Sequence, residues 1–411
     1  MNTILKNPLT IFLMVVLFVL SVAGVVLAIK IIQTNRSTAS KVQSTLVCPT
    51  PVCPVPICPT PICPVLTSNS IENYKYGKKN FIEKYADKRV VKHTDKSVKN
   101  IAFWDNQLCE RGTALALYDY AYFNEKILGN KSYIFYDKNR SSVKQVIDKF
   151  KKIFTVHETD DFKEVDSYLI KYNISHIYII KSGEKDTRIS NVAKNCIHCV
   201  FHCSQPHGDI YSSISSLVPG NDGKYPVVPH MVNLPVNINN MREKLNIPEK
   251  ATVFGGYGGK DSFNIKFVQQ TVYLVAKNNP DIYFLFANFN TFCKPLKNII
   301  HIPAIYDLNS KVEFINTCDA MIHARDNGET FGIAVAEFSS KNKPIICTKM
   351  GDLAHINLLG DKAILYTNKE DLNNILTNFN PEIEKHKDWN AYKDYTPEKV
   401  MKIFKEVYLD S

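Results

Sequence analysis

A chain of 411 residues is longer than one ordinary domain; with 45% apolar residues it has the material for two or three folded units. The formal net charge is +10, yet residues 1–98 carry 12 Lys/Arg against 4 Asp/Glu, whereas residues 99–411 carry 38 against 36. A nucleic-acid binder keeps its basic excess on the folded domain, so this near-neutral larger part excludes nucleic acid as the main partner.

A tail of residues 1–8 leads into Leu9–Ile29, a run of 21 residues without a charge. That length crosses the hydrocarbon core of a bilayer as one helix. Lys30 and Ile31 follow directly, without a small-residue cleavage site, which predicts a retained single-pass anchor and a lipid bilayer as partner. Lys6 and the amino terminus flank one side and Lys30, Arg36 and Lys41 the other, so orientation leans only weakly toward a cytoplasmic C-terminal region. Residues 30–98 read as a Pro/Cys-rich stalk and a basic linker. In CPTPVCPVPICPTPICPV, Cys48–Val65, the recurring prolines forbid helix and favour an extended spacer. Cys48, Cys53, Cys58 and Cys63 recur every five residues, unlike zinc ligands. Disulfides between stalks of a homo-oligomer, palmitoylation and plain low complexity all fit that spacing. The Lys-rich stretch 75–99 fits either a solvated linker or a contact with an anionic membrane surface.

In residues 99–238, NIAFWD, SYIFYD, FTVHE and HIYIIKS read as strands, with helix-like TALALYDYAYFNEKIL, SVKQVIDKFKK and FKEVDSYLIKY between them. The alternation predicts parallel βαβ units. KNCIHCVFHC groups Cys196, His198, Cys199, His202 and Cys203, but its alternation reads as a buried strand rather than a metal knuckle. Pro226, Pro229, Pro235 and Pro248 interrupt the pattern and place a domain boundary near residue 238. Residues 239–411 resume it: ATVFGG, IYFLFAN, NIIHIPA, AMIHA, PIICT and AILYT as strands, FNIKFVQQTVYLVA and the terminal TPEKVMKIFKEVYLD as helices. Two doubly wound α/β domains facing a cleft are expected, with ligands at the carboxyl ends of the strands.

The strongest chemical signal is CDAMIHARDNGETFGIAVAEFSSKNKPII, Cys318–Ile346. A strand ends in the turn Arg325-Asp326-Asn327-Gly328, and a helix is expected from about Thr330. Gly328 and Gly332 let backbone come close to a ligand, and free amides at a helix start favour an anion. Glu329 and Glu337, eight residues apart, are expected about two turns apart on one helical face.

This run resembles the retaining GT-B glycosyltransferases of family 4, and its look is closest to those of giant DNA viruses. The resemblance covers residues 99–411. It implies two Rossmann-like domains, an acceptor domain at 99–238 and a nucleotide-sugar domain at 239–411, and a UDP- or GDP-sugar as co-substrate rather than a bound cofactor. It implies that Glu329 contacts the donor sugar, that Glu337 holds the ribose, and that the amides of Thr330, Phe331 and Gly332 meet the diphosphate. In VFGGYGGKDSFNIKFVQQ, from Val253, the family often has Arg where this chain has Gly256; Lys260, Lys266 or Arg325 is expected to supply that charge. Arg111-Gly112-Thr113 corresponds to a glycine-containing loop facing donor and acceptor. His207 is the expected histidine near the reacting sugar, with His230 a weaker candidate. No Asp-x-Asp triplet occurs, which fits transfer without a metal. The resemblance further implies a glycan, protein or lipid acceptor, retention of configuration, and, for a viral protein, a host or virion membrane. The departure at Gly256 leaves a second reading: a degenerate transferase serving as a sugar-binding or structural surface protein.

Overall fold

The computed structural model describes residues 98–411. The anchor at 9–29 and the stalk and linker up to residue 97 lie outside the described residues. Among those described, no helix is long and apolar enough to cross a membrane.

The first half runs β1 (Asn100–Asp105), α1 (Gly112–Lys126), β2 (Lys131–Asp137), α2 (Lys144–Lys151), β3 (Thr155–Thr159), α3 (Lys163–Lys171), β4 (Ile174–Lys181), β5 (Lys194–Cys199) and β6 (Ile210–Ser213). Ile101 to Trp104 are buried without alternation, as a parallel strand covered on both faces requires. The strands form one parallel sheet in the order β3-β2-β1-β4-β5-β6. On α1, Ala114, Leu117, Ala121 and Asn124 recur every three or four residues and form its buried stripe. Cys196 to Cys199 lie buried in β5 as a buried strand requires, but the strand ends there: residues 200–203 continue as loop, with Phe201 exposed.

The second half runs β7 (Thr252–Tyr257), α4 (Lys266–Asn278), β8 (Ile282–Ala287), β9 (Ile299–Ile302), α5 (Leu308–Thr317), β10 (Ala320–Ile322), β11 (Gly328–Glu329), α6 (Ile333–Ser340), β12 (Ile345–Cys347), β13 (Asp352–Leu353), α7 (Ala354–Leu359), β14 (Ala363–Leu365), α8 (Lys369–Asn378), α9 (Pro381–Glu384) and α10 (Pro397–Phe404). Its main sheet has the order β14-β12-β10-β7-β8-β9, and β11 pairs with β13 separately. In each main sheet the chain winds outward for three strands and then returns beside the first. This creates a switch point between β1 and β4 and another between β7 and β10, where such sheets open a crevice at their carboxyl ends.

The halves share apolar packing. One buried cluster runs from Phe103 and Tyr178 of the first sheet and Tyr120 on α1 to Phe314, Val335 and Phe338 on α5 and α6. A second cluster, around Phe254, Val272 and Phe284, fills the other face of the second sheet. The chain then returns to the first sheet: Phe404 on α10 stacks on Phe103 and Tyr120, and Tyr408 meets Tyr178 edge-on.

Candidate active site

The turn after β10 is closed by the Gly328 amide, which donates to the Arg325 carbonyl at 3.1 Å. Asn264 tethers it from the β7–α4 loop, accepting from the Asp326 amide and donating to the Asp326 carboxylate. Behind this turn Glu329 is held on both oxygens. His323 Nε2 lies 3.3 Å from Oε1, and Arg325 Nη1 donates to Oε2 at 3.0 Å. Burial works to raise the Glu329 pKa, but the His323 hydrogen bond and the Arg325 charge outweigh it and hold the carboxyl below its usual range. Glu329 is therefore an ionised acceptor at neutral pH, rigidly oriented and still partly exposed.

The expected helical geometry needs correction. The helix begins at Ile333, not Thr330, with Gly332 as N-cap at φ 82°. Glu329 lies before it on β11, paired with Leu353 in a short parallel bridge. Glu329 and Glu337 are thus not on one helical face. The left-handed Gly332 turns the chain between them, and any side chain there would also crowd Glu329 and His355, with Cβ contacts of 3.3 Å. Thr330 is half-buried. Phe331 is a core residue, packed against His230, Tyr392 and Tyr395.

Glu337 is buried on α6. Lys311 on α5 donates to its Oε1 at 2.8 Å, and the Tyr257 hydroxyl donates to Oε2. A buried carboxylate requires such compensation. Across the lobe boundary, Asp119 on α1 feels Lys149, Lys311 and Glu337, and burial pushes its carboxyl up to about 7.

Residues 111–113 do approach the second half. A Cβ on Gly112 would sit 3.3 Å from Ile333 Cδ1, so the starts of α1 and α6 lie side by side. Arg111 is the N-cap of α1, and Thr113 hydrogen-bonds Asp105 at the end of β1, whose carboxyl burial lifts to about 6. A cavity of about 80 Å³ opens between the lobes. Arg111, Tyr118 and Lys149 line it on one side and Tyr306 and Lys311 on the other.

Other expected residues fall elsewhere. His207 meets Lys181, the Gln205 carbonyl and the Tyr211 ring, all in the first half. His230 is the histidine that reaches the lobe boundary, edge-on to Phe331 at 5.4 Å. Lys260 and Lys266 are exposed and do not line the interlobe cavity. Gly256 is buried, and a Cβ there would come within 3.0 Å of the Ile322 carbonyl and 3.3 Å of Phe289. His323, Lys311, Tyr257 and Asp119 escaped the sequence reading. His323 had a usable signal, since it directly follows the strand that feeds the turn.

No family model matches the sequence, and no curated protein does. Solved structures match in fold. A glycosyltransferase from Rickettsia africae ESF-5 superposes with TM-score 0.55 at 15% identity, covering 77% of this chain and 100% of that one. Anabaena Alr3699/HepE, in complex with UDP and glucose, gives 0.55 at 13% identity over 75% and 97%. WaaG, a glycosyltransferase involved in lipopolysaccharide biosynthesis, gives 0.52 at 10% identity over 75% and 99%. At these identities the likeness is one of architecture, and the described chain has the two-lobed GT-B fold of these glycosyltransferases.

Proposed function

We propose that the protein is a glycosyltransferase held on a membrane by Leu9–Ile29, moving a sugar from a UDP- or GDP-sugar to a hydroxyl of a glycan, protein or lipid. The observation that carries this reading is the Glu329 carboxylate, fixed by His323 and Arg325 beside the start of α6. An ionised carboxylate held on two sides still has lone pairs for sugar hydroxyls. The Thr330, Phe331 and Gly332 amides next to it are suited to the donor diphosphate, on which negative charge grows as the glycosidic bond breaks. Glu337 is the ribose-binding candidate, held in place by Lys311 and Tyr257. The Anabaena protein of the same fold, with UDP and glucose, supports the donor class. Front-face attack with retention, and charge neutralisation by basic side chains instead of a metal, complete the proposal.

Glu329→Gln removes the charge but not the shape. It is expected to keep the wild-type melting profile and lower kcat/KM for transfer, or for donor hydrolysis, by about a hundredfold. A variant that turns over UDP- and GDP-sugars at the wild-type rate removes Glu329 from the chemistry. The second reading, a degenerate sugar-binding surface protein, is favoured by Gly256 alone. It predicts donor binding without turnover by the wild-type chain.

A further inference from the structure

The interlobe cavity has a charge pattern that the sequence motif did not announce. Its wall carries three cations, Arg111 and Lys149 from the first lobe and Lys311 from the second, against one carboxylate, Glu110. Lys149 is half-buried on α2. Its ammonium lies 4.3 Å from the centre of the Tyr118 ring and takes no hydrogen-bond acceptor or ion-pair partner among the described residues. Lys311 spends one of its three donors on Glu337. Arg111 is exposed and forms no ion pair among the described residues. A half-buried ammonium left without an acceptor is costly, and an anionic ligand would remove that cost. Asp119, Glu337 and Asp307 act on its charge, but none reaches hydrogen-bond or ion-pair distance of it. The same wall carries the aromatic faces of Tyr118, Tyr306 and Phe150. Cations beside aromatic faces suit a ligand that is both aromatic and anionic, which describes a nucleotide.

Building on the transferase reading, we propose that Lys149, with Arg111 and Lys311, contacts the phosphate oxygens of the donor nucleotide, so that both lobes grip it. The cation that the β7–α4 loop was expected to provide is thereby supplied across the cleft. Donor binding and lobe closure become one event, because the phosphates bridge α2 and α5. Burial already lowers the Lys149 pKa, and a bound phosphate would raise it again.

The test is calorimetric titration of the full chain in detergent with UDP, GDP and uridine. Lys149→Met is expected to weaken binding of the preferred diphosphate about tenfold while leaving uridine unchanged. Lys149→Arg is expected to stay within about threefold of wild type, since it keeps the charge. Three outcomes overturn the inference alone: unchanged diphosphate affinity in Lys149→Met, equal losses for UDP and uridine, or loss of diphosphate affinity only in a Lys260→Ala/Lys266→Ala chain. If the wild-type chain binds neither UDP nor GDP, the transferase reading falls and this assignment falls with it.

Discussion

Asp119, midway along α1, faces Lys149 from its own lobe and Lys311 and Glu337 from the other. Burial is the dominant influence on it and keeps its carboxyl protonated up to about pH 7. A raised acid pKa makes the folded state hold a proton that the unfolded chain has released. Stability therefore falls as pH rises from the unfolded pKa, about 4, to the folded one, and the penalty is complete above it. Asp119→Asn carries no such penalty. Its stability advantage over wild type in urea titrations is expected to be near zero at pH 4 and roughly 1–3 kcal/mol at pH 8. A gap that does not change with pH would mean that Asp119 is ionised throughout. At this scale, legibility followed contiguity. Arg325, Gly328 and Glu329 stand within five residues and announced themselves. Tyr257, Lys311 and Asp119 come from three elements far apart in the chain and come near Glu337 only after folding. His207 looked better placed than His230 in the sequence, but the loop between β5 and β6 keeps it with Lys181 in the first lobe.

The element that aims Glu329 is the two-residue bridge between β11 and β13. Gly328 makes it feasible. At φ 63° a Cβ would fall 2.2 Å from the Asp352 carbonyl oxygen and 2.5 Å from its nitrogen, inside the backbone itself. Gly328→Ala must therefore break the bridge or shift the turn, and either displaces Glu329 from His323 and Arg325. The expected signature is loss of donor turnover by about a hundredfold with a drop in stability of only about 1–2 kcal/mol, because β11 holds no large apolar side chain. Turnover near the wild-type rate would show that the bridge does not position the carboxylate. The main strands and helices were legible because hydrophobic runs and helical periodicity extend over many residues. The start of α6 was not, because the Thr-Phe-Gly segment before it is settled by one left-handed glycine and by pairing with residues more than twenty positions later.

Across the whole molecule, α10 joins the end of the chain to its beginning. Val400, Met401, Phe404, Val407 and Tyr408 form the buried stripe that the terminal amphipathic pattern announces, and they bury it on the first sheet. Phe404 is fully buried among Phe103, Tyr120, Tyr178 and Tyr408. Its truncation to alanine is expected to cost about 3–5 kcal/mol. Because the same apolar cluster continues into α5 and α6, that loss belongs to both lobes and not to the first alone. The chain has two tryptophans, Trp104 on β1 and Trp389 beyond α9, where its carbonyl accepts from Ser339 on α6. Each reports on one lobe. In Phe404→Ala combined with Trp104→Phe or Trp389→Phe, fluorescence-monitored urea unfolding is expected to give the same lowered midpoint from either remaining tryptophan, each judged against its own single-tryptophan parent. If the midpoint falls at Trp104 while Trp389 keeps that of its parent, the lobes unfold separately and the shared cluster does not couple them.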